Sequence, residues 1–79
     1  MIKTYFTFGS DPLYPFGRDD YVVAQGESLK ECVHKFMAKH PNPRPEWENV
    51  ANCAFIYSEK EFMKSCAHFY GPEPAEVIE

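Results

Sequence analysis

The sequence predicts a small α+β fold. It reads as one single-layer sheet of three to four strands in the order β-β-α-β-α, open to a final short strand, with two amphipathic helices packed on one face. Three observations predict it. Ile2, Thr4, Phe6 and Phe8 alternate with Lys3, Tyr5 and Thr7, the period of two of a half-buried strand. Two serine–glutamate capping boxes, Ser28-Leu29-Lys30-Glu31 and Ser58-Glu59-Lys60-Glu61, each open a segment with an apolar stripe. Two further apolar runs, at 20–25 and 52–57, precede those boxes.

The first strand ends at Gly9-Ser10-Asp11-Pro12, a cluster of turn formers. The connection at 9–19 is long for a hairpin. The second strand is expected at 20–25. The first helix starts on Ser28, and its stripe is Leu29, Cys32, Val33, Phe36 and Met37. Glu31 and Lys35 form an i,i+4 pair on its wet side. Lys39 and His40 suit the negative end of the helix, and Pro41 stops it. The third strand is expected at 52–57. The second helix carries the stripe Phe62, Met63, Cys66, Phe69 and Tyr70 and ends at Gly71-Pro72. The tail at 75–79 can add a short edge strand. Between helix one and strand three, Pro41, Pro43 and Pro45 force an extended arm, with room for one helical turn at 46–50. Strand two, helix one and strand three then make one right-handed crossover, with strand one between the two strands and antiparallel to both.

A chain of 79 residues holds one small domain, 1–79. Its aromatic share of 16% argues against disorder. No stretch approaches the ~18 consecutive apolar residues of a membrane span. The N-terminus runs directly into the strand pattern, without the layout of a secretion signal. With three cysteines and no such signal, the expected state is reduced, buried thiols in a cytoplasmic setting. Eight basic residues stand against twelve acidic ones, a net charge of −4. That balance disfavours nucleic acid, whose binders cluster Lys and Arg. It suits docking onto a basic protein.

Signatures of chemistry are weak. Cys32-Val33-His34 and Cys66-Ala67-His68 repeat a Cys-x-His pattern that could fill a zinc shell. Within a helix, however, residues i and i+2 point to nearly opposite sides. Neither metal nor cofactor is expected. No nucleophile elbow, zincin motif or phosphate-cradling loop appears, and the expected function is not enzymatic. Two segments are candidate binding surfaces. The loop at 9–19 carries Asp11, Tyr14, Phe16 and Arg18, of which the last three are types that anchor interfaces. The alternative for this loop is that Leu13 and Phe16 fold back over the core. The proline arm carries Arg44 and Trp47.

Tyr5-Phe6-Thr7-Phe8-Gly9, Tyr21-Val22-Val23-Ala24 and Ala54-Phe55-Ile56-Tyr57 ahead of an acidic helix start resemble a group of small, mostly uncharacterised proteins of phages, prophages and mobile elements. The arm from Pro41 to Pro45 departs from that group by its length. The resemblance implies a bacterial or phage origin, a cytoplasmic setting and a counter-defence role, as an anti-CRISPR-like inhibitor docking on a host protein. A second reading is a homo-oligomeric sponge for a nucleotide signal, with Tyr14, Phe16 or Trp47 on the base and Arg18 or Arg44 on the phosphate. A third is an accessory protein.

Overall fold

The computed structural model describes residues 1–9, 14–41, 54–65 and 67–79. It shows a small α+β fold in which four strands form one mixed sheet with two helices. The strands are β1 (Ile2–Thr7), β2 (Tyr21–Gly26), β3 (Phe55–Ser58) and β4 (Glu76–Ile78). The helices are α1 (Leu29–Lys39) and α2 (Glu59–Ser65), the latter followed by a 3₁₀ turn at Ala67–Phe69.

The sheet order is β3-β1-β2-β4. β1 is antiparallel to both neighbours, as the crossover expectation requires, with Tyr5 opposite Val23 on one side and Tyr57 on the other. β4 joins the far edge, parallel to β2, with Ile78 beside Ala24. The Ala75 N–H extends this ladder by donating to the Tyr21 carbonyl at 2.8 Å.

The placement of the helices corrects the expectation of two helices on one face. Tyr5 and Phe6 are adjacent in β1, so their side chains leave opposite faces of the sheet. The Phe6 ring stacks on Phe36 of α1 at 4.3 Å, and the Tyr5 ring stacks on Phe62 of α2 at 4.4 Å. The helices therefore cover opposite faces. The α1 face gathers Phe6, Phe8, Val22, Ala24, Cys32, Phe36 and Ile78. The α2 face gathers Tyr5, Tyr21, Val23 and Phe62. The physical reason is that the sheet is apolar on both sides. Tyr21-Val22-Val23-Ala24 is an unbroken apolar run, the mark of a strand covered twice. Thr4 to Thr7 are buried without alternation, so β1 is not the half-buried strand its period suggests.

Both serines cap their helices as expected, and the Ser58 box closes in both directions. The Ser28 hydroxyl accepts the Glu31 N–H at 3.1 Å. The Ser58 hydroxyl accepts the Glu61 N–H at 3.1 Å, and the Glu61 carboxylate accepts the Ser58 N–H at 3.2 Å. Glu31 pairs with Lys35 at 3.4 Å, and Lys35 also donates to the Gln25 carbonyl at 2.7 Å, which ties α1 to the end of β2. Of the first stripe, Cys32 and Phe36 are buried, Val33 and Met37 pack at the margin, and Leu29 is exposed. The second helix is shorter than its stripe. It ends at Ser65, and Met63 and Phe69 stay exposed. Gly71 does not take up the left-handed conformation of a helix-capping glycine, since no described glycine has a positive φ.

Close packing of β2 on α1 requires Gly26. A Cβ there would lie 3.1 Å from the Glu31 carboxylate and 3.3 Å from the buried Cys32 sulfur. Gly26→Val is expected to lower stability by about 1–3 kcal/mol through overpacking. Around Gly71 nothing lies within 4 Å of such a Cβ. Gly71→Ala is expected to be neutral or to stabilise by up to about 1 kcal/mol, because it restricts the unfolded chain. Urea unfolding of both variants checks the pair; a Gly26→Val protein as stable as the parent would contradict the close approach.

A charged clasp holds β4 to the end of α1. Glu76 accepts from Lys39 Nζ at 2.8 Å and shares a short hydrogen bond with His40 Nε2. The His40 ring lies against Phe16 and Phe36. The Lys39 ammonium first, and the His40 imidazole second, hold the Glu76 carboxyl below the ordinary carboxylate range. Its folded value is thus depressed below its unfolded one. The stability it confers is present at and above the unfolded value, and is lost as pH falls through the folded value. Glu76→Gln is expected to cost about 1 kcal/mol at pH 7. It should also flatten the loss of stability below about pH 4.5, the top of that window. Unfolding curves taken from pH 7 to pH 3 test this; an unchanged acid limb in the variant would remove Glu76 from the account.

Candidate functional site

The loop ahead of β2 divides its predicted residues between core and surface. Tyr14 is 5% exposed, with its ring 5.5 Å from Phe8 and 5.2 Å from Phe36. It belongs to the core, which corrects its reading as a surface anchor. Phe16 is half-buried and stacks on Phe8 at 4.9 Å. Phe16 thus folds back as the alternative reading expects, joined by Tyr14, while Leu13 lies outside the described residues. Apolar rings next to an open sheet end bury more surface by folding back than by projecting.

Arg18 is different. Residues 17–20 form a tight turn, closed by the Asp20 N–H donating to the Gly17 carbonyl at 3.1 Å. The Asp20 carboxylate accepts the Gly17 N–H at 2.7 Å. With its ends fixed, the turn presents Arg18 and Asp19 at its two central positions, both exposed.

Arg18 and Asp19 border a surface cleft of about 400 Å³ whose other lining residues are Tyr57, Phe69 and Tyr70. Three elements position them. Tyr57 stands on β3, on the face that α2 covers, with its ring 6.4 Å from Phe62. Tyr70 follows the 3₁₀ turn and packs on Phe62 at 5.5 Å and on Tyr21 at 5.7 Å. Both tyrosines are half-buried, so their rings are held by the core. Phe69 is 69% exposed, with its ring 4.0 Å from that of His68. Phe55, two residues before Tyr57 on the same strand face, is exposed beside it.

The phenols behind this cleft are held neutral. Burial first, and the Glu73 charge second, push the Tyr21 hydroxyl above its ordinary value. Burial and the Glu59 carboxylate, which accepts from it at 3.5 Å, do the same to Tyr5. Among the described residues, the arrangement offers aromatic rings, one guanidinium and one carboxylate. These are groups for recognition by stacking and charge pairing.

Asp11, Arg44 and Trp47 lie outside the described residues, as do Cys53 and Cys66. Cys32 is a buried free thiol and His34 points to solvent, the divergence expected of i and i+2 on a helix. Among the described residues, no three His, Cys, Asp or Glu side chains converge as metal ligands would. No helix of the described residues is long and apolar enough to cross a membrane. Tyr57, Phe69 and Tyr70 were not legible as a surface. The available signal was a stripe longer than two helical turns, running up to Gly71-Pro72. The helix stops before the stripe does, and its last aromatics meet water.

Compared with protein-family models, with curated proteins and with solved structures, the chain matches none.

Proposed function

We propose that this protein is a non-enzymatic binding module that docks onto a partner protein through the cleft at Arg18, Tyr57, Phe69 and Tyr70. The observation that carries the reading is Phe69: a large apolar ring, 69% exposed, beside two core-anchored tyrosines and an exposed arginine. Tyrosine and arginine are among the commonest interface hot spots, and rings held by a rigid core lose little freedom on binding. A net charge of −4 supports a partner with a basic surface. The resemblance to phage and mobile-element proteins adds a setting, the bacterial cytoplasm, and a role, inhibition of a host defence protein by covering its surface. The nucleotide-sponge reading has less support, because Tyr14 is core and Phe16 is stacked on Phe8.

Affinity capture from bacterial lysate with the parent and with Phe69→Ala tests the reading. A specific partner should be retained by the parent and lost at least ~10-fold by the variant, the effect of a hot spot worth about 1.4 kcal/mol or more. The variant should keep its melting temperature, since an exposed side chain contributes within about 0.5 kcal/mol. Equal retention by both proteins, or none by either at micromolar concentration, would overturn the proposal.

A further inference from the structure

The charge around the cleft bears on which side chain it receives. Tyr57, Phe69 and Tyr70 line it with aromatic rings, whose faces carry the negative lobe of the aromatic quadrupole. Asp19 stands exposed on the rim, while Asp20 is committed to closing the turn. The Glu73 charge acts on the Tyr21 phenol, whose ring lies 5.7 Å from that of Tyr70 between centroids. Among the described residues that line the cleft, Arg18 is the one basic residue. Among the described lining residues, an anionic ligand would be drawn by Arg18 alone, against Asp19 and a net charge of −4. A cation meets the Arg18 charge too, but Asp19 offsets it, and the aromatic rings and the overall field favour the cation. The volume of about 400 Å³ is near the lower end for ligand sites and suits one long side chain.

We infer that the cleft receives an arginine side chain of the partner protein. Its guanidinium would stack on Phe69 and the tyrosine rings and pair with the Asp19 carboxylate. Guanidinium is favoured over ammonium because it is planar, weakly hydrated and able to bind a ring face and a carboxylate together. This inference rests on the docking reading and names the chemistry of the group that docks.

The test is a ¹H–¹⁵N NMR titration of the full chain with four probes. These are acetyl-Gly-Arg-Gly-amide, the Lys and Glu peptides of the same frame, and adenosine monophosphate. The arginine peptide is expected to give saturable shifts at residues 18–19 and 67–71, with millimolar affinity. Asp19→Asn should weaken it about 5-fold and Asp19→Glu restore most of it. Phe69→Ala should abolish it, with spectral dispersion showing that every variant stays folded. No saturable shift with the arginine peptide would overturn the inference. So would shifts at the same residues from the Glu peptide or the nucleotide that vanish in Arg18→Ala, which would mark an anion site. Failure here alongside a partner lost by Phe69→Ala would remove the arginine and leave the docking reading standing. Arginine binding without such a partner would remove the docking reading instead.

Discussion

Phe36→Ala is expected to remove a large fraction of the protein's stability. Phe36 is fully buried, and its ring touches those of Phe6, Phe8, Tyr14 and His40. Its ring meets both the sheet, at Phe6, and the folded-back loop, at Tyr14. Removing it loses the transfer energy of the ring and leaves a cavity bounded by rigid aromatics that collapse poorly. Such a change costs about 3–5 kcal/mol. At about 0.05–0.15 kcal/mol per residue, a chain of 79 residues has a total stability of only about 4–12 kcal/mol. The loss is therefore a large fraction of the whole. Urea unfolding followed by circular dichroism measures it. Phe36→Leu, which refills most of the volume, should recover more than half of the loss. A Phe36→Ala protein within about 1 kcal/mol of the parent would show that α1 is held by something other than this ring.

Much of the fold was legible because local signals and tertiary packing agree. Ser28 and Ser58 mark the true helix starts, since a hydroxyl followed by a glutamate satisfies N–H groups whatever the rest of the chain does. The antiparallel pairing of β1 with both its neighbours followed from connection rules. The face each helix covers is not legible from β1, because Lys3, Tyr5 and Thr7 read as the wet side of an alternating strand. Tyr5 is amphipathic, and its ring is buried under Phe62 while its hydroxyl reaches Glu59 at 3.5 Å. The apolar run Tyr21-Val22-Val23-Ala24 was the better guide, since both its faces need cover. The candidate site was half legible. Arg18 stands where the loop reading put it, on a turn that Gly17 and Asp20 define. Tyr14 does not, because composition cannot say whether a loop aromatic projects or folds back. The stripe assigns Phe69 to the core because a helical stripe carries no information about where the sheet beneath it ends.

The same two-sided design gives Phe62 a role distinct from that of Phe36, and a different outcome when it is removed. Phe62 is 1% exposed and sits among Tyr5, Tyr21, Tyr57 and Tyr70, with ring centroids 4.4, 4.8, 6.4 and 5.5 Å away. It is the one buried residue of α2, a helix of seven residues. So short a helix has no stability of its own and depends on its packing. Phe62→Ala should again cost about 3–5 kcal/mol. Here, though, the loss falls on one layer. The α1 face keeps Phe6, Val22 and Phe36 in place, so α2 and the 3₁₀ turn should open before the rest of the sheet. Hydrogen exchange should then show amides at 61–65 near the rate of an unfolded chain while those of β1 and β2 stay protected. Near-ultraviolet dichroism from the tyrosines should fall before the far-ultraviolet signal, a departure from two-state unfolding. Because Tyr57 and Tyr70 are held in place by Phe62, the cleft should be lost in the same step, and with it the binding that Phe69→Ala removes without unfolding. Uniform loss of protection across both layers would show that the two half-cores fold as one unit, and that the cleft is no more labile than the sheet.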